Sequence, residues 1–394
     1  MAASARGGDP HRTDEYELAV ATAQVNVVRS ALGGHGVSSA VRDDSPELKL
    51  TLLALPEGEV RRATTDDDGP AEPAEPLDRL LNLLYRDFER EYGGWTPALG
   101  KNRIVRPVTG AHNIGGGGRH TPRTVQYDLA PRDAEPGRGV RVGIADTALY
   151  AHPWLSGAYD AAPSSLWTDD GEPAQYPAGH ATFVAGLVLQ AAPGATVEVR
   201  RVLRPDATAD SWDVAKQLVR FAGSGIDVLN LSFGCFTEDN RPPLVLATAL
   251  DRIDRRVVVV AAAGNHGSTP DRRRPLYPAA FEEVVAVGAT DDAGELQPWS
   301  PDPRLPWVDV AAPGEGARST YLPGKVDTGQ PENPVEGPFN GFAQWSGTSF
   351  AAARVSGAVA ARTVPGEIGA GAALAELLRS ATRLPGPADL PWIH

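Results

Sequence analysis

The sequence predicts an α/β protein: a three-layer fold with a mostly parallel central sheet and helices on both faces, preceded by a small α+β region. Three observations carry this. Residues 140–145, 197–203, 227–231, 257–263 and 284–287 are short apolar runs without polar alternation, the pattern of strands buried on both faces. Helix-compatible stretches at 181–190, 212–222 and 244–253 fall between them. With 394 residues and 42% hydrophobic content, the chain can bury one large core and a smaller one.

From the N terminus, Thr13-Asp14-Glu15 and the run to Leu32, closed by Gly33-Gly34, predict a capped helix. Residues 37–41 and 48–55, around Arg42-Asp-Asp-Ser-Pro46, predict two strands and a turn. Residues 57–75 have the acidic, proline-bearing composition of a linker. Leu77, Leu80, Leu81, Leu84 and Phe88 recur at helical spacing and predict an amphipathic helix. Residues 1–94 thus form an N-terminal accessory or prodomain-like region. Residues 95–137, irregular and including Gly115 to Gly118, link or wrap; 138–385 are the α/β domain, and 386–394 a tail.

Lys and Arg number 37 against 50 Asp and Glu, a formal charge of -13, which argues against a nucleic-acid or anionic-membrane partner. Cys235 is the only cysteine, which excludes an internal disulfide and a four-cysteine zinc site. No apolar run reaches the roughly 18–20 residues that span a bilayer, and the first nine residues lack an apolar leader core. A cytoplasmic protein is expected, with secretion by an unrecognised route as the alternative.

Four residues stand at element ends. Asp146 closes the first apolar run in Gly143-Ile-Ala-Asp-Thr147, where an open parallel sheet presents side chains to a crevice. His180 opens the next helix, Asn265 ends the run from Val257, and Ser349 begins a helix of small residues in Gly347-Thr-Ser-Phe-Ala-Ala352. Singly they read as a cap, a structural histidine, a turn residue and a packing position. Jointly they supply what a serine nucleophile lacks near neutral pH: a base to take its proton, a carboxylate to fix that base, and an amide for the oxyanion.

At these blocks, together with His180-Ala-Thr-Phe-Val-Ala-Gly186, Leu229-Asn-Leu-Ser-Phe-Gly234 and Ala261-Ala-Ala-Gly-Asn-His-Gly267, the chain resembles the subtilisin-like serine peptidases, or subtilases, over about residues 138–385. The resemblance implies an endopeptidase with Ser349 as nucleophile, His180 as general base and acid, Asp146 as its carboxylate and Asn265 as oxyanion donor. It further implies that Ser232, Phe233 and Gly234 form one wall of the S1 cleft and pair with substrate backbone. Ala261, Ala262, Ala263 and Gly264 would form the other, with Leu276 near an apolar floor. The partner is a protein or peptide substrate. No cofactor is required; structural calcium is common in the family, and no compact acidic loop here identifies its ligands.

The N-terminal region would dock on the catalytic domain and restrict access, or recruit a protein; a removable prodomain is the alternative. A maturation peptidase dedicated to one precursor, and a catalytically silent peptide-binding module, stay open beside the endopeptidase. Departures from the family pattern are Ala148, Ala181-Thr-Phe183 and Ala353-Arg354. Cys235 reads as a small buried filler, or as a thiol that confers sensitivity to alkylation.

Overall fold

The computed structural model describes residues 15–65, 75–107, 121–132, 135–169, 171–237, 241–329, 334–384 and 389–394. Thr13, Asp14 and Gly115 to Gly118 lie outside them. The chain divides into two compact units, Met1–Arg103 with Pro243–Thr248, and Ile104–Pro242 with Ala249–His394.

In the first unit, Glu15–Ala21 is a strand and not the predicted helix. It pairs antiparallel with Leu50–Pro56 on one side and Leu99–Lys101 on the other, and this two-sided ladder overrides a helix-like local signal. The helix begins later, at Val25–Gly34. Ala40–Ser45 completes a four-stranded sheet, so the predicted turn residues Arg42 to Ser45 are strand; the turn follows them, with Lys49 at φ 55°. The expected linker begins as a helix, Glu57–Ala63. Pro76–Glu91 is the amphipathic helix, and its Leu77, Leu80, Leu84 and Phe88 share a core with Leu18, Val20 and Leu53.

In the second unit, nine strands form one sheet in the order Thr382–Arg383, Pro391–Trp392, Val310–Pro313, Val284–Thr290, Val258–Ala262, Val228–Leu231, Arg141–Asp146, Thr196–Arg201 and Tyr159–Ala161. All neighbours are parallel except the first two. After Arg141–Asp146 the chain adds strands to one side and then, from Val228, to the other. The order therefore reverses at Asp146, and such a switch point opens a crevice at the carboxyl ends of the strands.

The helices His180–Ala191 and Thr348–Arg362 pack on one face of this sheet and on each other. Their composition permits close approach: a Cβ on Gly357 would meet Ala191 Cβ at 2.7 Å and Val188 O at 2.8 Å. The opposite face takes Phe221 and Ile226, which fill the space over Gly143. A second sheet, led by the antiparallel pair Ala317–Asp327 and Val335–Trp345, backs the His180 helix, where Gly186 admits Ser319 and Thr320. Among the described residues no helix is long and apolar enough to cross a membrane.

Candidate active site

Asp146, His180, Asn265 and Ser349 are all buried, and the His180 ring lies beside Phe350, the neighbour of Ser349. Asp146 is the last residue of its strand and His180 the first of its helix. His180 Nδ1 lies 2.9 Å from Asp146 Oδ1 and 2.8 Å from Oδ2. A carboxylate can only accept, so Nδ1 carries the proton and Nε2 is the nitrogen left for chemistry. Nε2 has no hydrogen-bond partner among the described residues. The imidazole stands edge-on to Trp345 and beside Phe350, with centroids 5.5 Å away in each case, so the pair sits in an apolar, water-poor setting.

Thr147 ties the acid to the base. Its hydroxyl accepts from Ala181 N at 3.1 Å, satisfying a donor in the first turn of the His180 helix, and donates to Ala178 O at 3.3 Å.

The Ser349 side is held by neutral groups. Asn265 Oδ1 accepts from Thr348 N and Thr348 Oγ1, both at 3.0 Å, which turns the amide nitrogen of Asn265 to the other side of its Cγ. Thr348 Oγ1 accepts from Gly264 N at 3.1 Å, and Gly347 N donates to Gly314 O at 2.9 Å. Ser349 Oγ lies 3.5 Å from Ser232 O. Asn230 links Ser232 Oγ at 2.9 Å to Ser356 Oγ at 3.1 Å, joining the Ser232 segment to the third turn of the Ser349 helix. Arg354, one of the departures, reaches Asp292 at 3.8 Å.

Ser232 to Gly234 and Ala261 to Gly264 lead from neighbouring parallel strands, and Leu276 lies between the two segments. A Cβ on Gly234 would meet Leu276 Cγ at 2.6 Å, and one on Gly264 would meet Leu276 Cδ2 at 3.2 Å. The buried Cys235 exchanges backbone hydrogen bonds with Tyr277, which fixes Leu276 against this segment.

Ile104–Pro107 also runs here, antiparallel between Ala209–Asp210 and Phe233–Gly234. Phe233 faces Pro107 and Gly234 faces Arg106, so the strand points toward Ser232 and Ser349. Val105 is buried. Sequence reasoning overlooked this strand, along with Thr147, Thr348 and Trp345. The two threonines adjoin singled-out residues and were within reach as hydroxyl donors; Trp345 carries no local signal. Among the described residues no three His, Cys, Asp or Glu side chains gather as metal ligands, so the calcium common in the resemblance has no residues assigned to it.

Comparison with known proteins places these residues in context. The profile of the Subtilase family matches residues 137–379. An alkaline protease of Alkalihalobacillus alcalophilus is 31% identical over 337 residues, 82% of this chain and 73% of that one. Among solved structures, a lanthipeptide protease is 27% identical at a TM-score of 0.52, over 64% of this chain and 83% of that one. Fervidolysin from Fervidobacterium pennivorans, a keratinolytic enzyme related to subtilisin, shares the fold at a TM-score of 0.61 and 18% identity, over 97% of this chain and 60% of that one.

Proposed function

The chain belongs to the subtilase family and is a subtilisin-like serine peptidase, and from that premise we propose that Asp146, His180, Ser349 and Asn265 carry its chemistry. The observation that supports this most directly is the buried His180 Nδ1 held by both oxygens of Asp146. In the first step Ser349 Oγ attacks the scissile carbonyl as its proton passes to His180 Nε2. Apo hydrogen bonds of this kind tighten when substrate arrives. The imidazolium formed is stabilised by Asp146, and the oxyanion accepts from the Asn265 amide and the Ser349 N–H. His180 then protonates the leaving amine, and water delivered by the same base releases the acyl group from Ser349. The walls Ser232 to Gly234 and Ala261 to Gly264, with Leu276 at the floor, take an apolar P1 side chain.

A fluorophosphonate probe tests this reading. The wild type is expected to be labelled and Ser349→Ala unlabelled; equal labelling, or none of either, would sink the assignment and favour a silent peptide-binding module.

The linking segment that follows the N-terminal region restricts access to the cleft. Support comes from Ile104–Pro107, whose pairing with Phe233–Gly234 uses the edge an extended substrate needs. Intact mass is expected to show this region retained; a new N terminus near residues 110–137 would make it a prodomain. Similarity to a lanthipeptide protease supports a second, narrower reading, in which the substrate is one peptide precursor. A cytoplasmic site of action suits a chain whose single cysteine is indifferent to reducing conditions.

A further inference from the structure

On the sheet face that carries Phe221, a cavity of about 670 Å³ opens beside the edge strand Tyr159–Ala161 and Thr196–Arg201. It is lined by five arginines, Arg141, Arg200, Arg201, Arg204 and Arg220, against two acids, Asp160 and Glu198. Such clustering stands out in a chain of formal charge -13, because like charges held close repel unless something answers them.

The acids are already committed. Glu198, buried, accepts from Arg141 at 2.9 Å and from Arg200 at 2.6 Å, while Asp160 accepts from Arg141 at 3.1 Å. Arg200 is further fixed over the Phe221 ring, 4.9 Å from its centroid. Among the described residues two of these guanidinium groups meet no carboxylate: Arg201 gives Nε to Leu203 O at 3.4 Å, and Arg220 gives Nη1 to Gln217 Oε1 at 3.2 Å. Both residues are exposed. The acids thus hold a frame, and the remaining guanidinium donors match carboxylates in shape and charge.

The cavity adjoins the cleft through one contact. Arg204 donates to Asp210 Oδ2 at 2.5 Å, and Asp210 pairs with Ile104, the upstream end of the strand that points at Ser349. A chain lying in that register passes its N-terminal residues by Asp210 and Arg204. We propose that the cavity is an exosite for an acidic stretch of a peptide substrate upstream of the scissile bond. Its place in the substrate path rests on the peptidase reading; its affinity for carboxylates does not. A free phosphate shares the anion chemistry, but the volume and the Arg204–Asp210 contact beside Ile104 favour a chain.

The test is a titration by fluorescence anisotropy of labelled hexaglutamate and hexaglutamine peptides against Ser349→Ala protein, where turnover plays no part. Hexaglutamate should bind, hexaglutamine should not, and Arg201→Gln combined with Arg220→Gln should weaken binding about five- to tenfold, as two partly solvated ion pairs do. Raising the salt should weaken it further. Equal binding of both peptides, an unchanged affinity in the double variant, or displacement by inorganic phosphate at concentrations below those of the peptide overturns the proposal. In the active protein, a substrate extended upstream by three glutamates should show a lower KM than its glutamine counterpart, with kcat unchanged. The same KM for both overturns the link to substrate. Loss of all turnover would instead indict the peptidase assignment and leave the titration standing.

Discussion

The helices His180–Ala191 and Thr348–Arg362 are both rich in alanine and glycine and pack on each other, yet the first is anchored through a carboxylate and the second through amides and hydroxyls. At the His180 end one carboxyl group sets tautomer and ring orientation. At the Ser349 end the work is shared by Asn265, Thr348, Ser232, Asn230 and Ser356, none of them charged. Failure should therefore be abrupt on one side and graded on the other.

Asp146→Asn is the largest break in that contrast. With an amide in place of the carboxylate, the tautomer is no longer enforced, and kcat should fall about 10⁴-fold with KM little changed. A fall within about tenfold would mean that burial alone orients His180. On the neutral side, Asn265→Ala removes the proposed oxyanion donor together with the acceptor for Thr348. The expected loss in kcat is about 10²–10³-fold, the size seen for the corresponding amide in subtilisin.

Thr147→Val sharpens the comparison in stability instead of rate. It strands the buried Ala181 N–H, at a cost of about 1–3 kcal/mol by chemical denaturation, whereas Ser356→Ala removes one shared bond and should cost about 1 kcal/mol.

The smallest effect is in pH. His266, next to Asn265, donates Nε2–H to Arg274 O, and burial depresses its pKa to about 4. The unfolded chain takes up that proton near the ordinary value of 6.5, while the folded chain does so only near 4. Its contribution to stability is therefore complete above pH 6.5 and is lost as pH falls toward 4. Melting temperature should decline across that window in the wild type, and less steeply in His266→Gln.

How far the sequence revealed this arrangement varied with the source of order. Buried parallel strands such as Val258–Ala262 announce themselves as unbroken apolar runs, because both faces are covered. Glu15–Ala21 was misread because Thr13-Asp14-Glu15 imitates a helix cap, while the pairing that makes it a strand comes from residues 50–56 and 99–101. Ala40–Ser45 sits at the sheet edge, mostly exposed, and its Arg-Asp-Asp sequence has no apolar face to declare it. Likewise Ile104–Pro107 is a strand only by virtue of its two neighbours. Within the site, motif and chemistry singled out four element-end residues, and the structure places Asp146 against His180 and Asn265 against Thr348. Trp345, which flanks His180, arrives from a hairpin far along the chain, and no local pattern could place it there.

The close contact through Gly357, Ala191 and Val188 has one more consequence. Alanine and glycine have no rotamers to exchange, so little in this contact can repack to take up slack. The spacing between His180 and Ser349 is thus a property of the main chain, with a tolerance near the width of a single methyl group. Heating or modest solvent change should blur the position of longer surface side chains well before it blurs this one. A substitution that adds one carbon at Gly357 would push the two helices apart as rigid rods, separating His180 from Ser349 along with everything each helix carries.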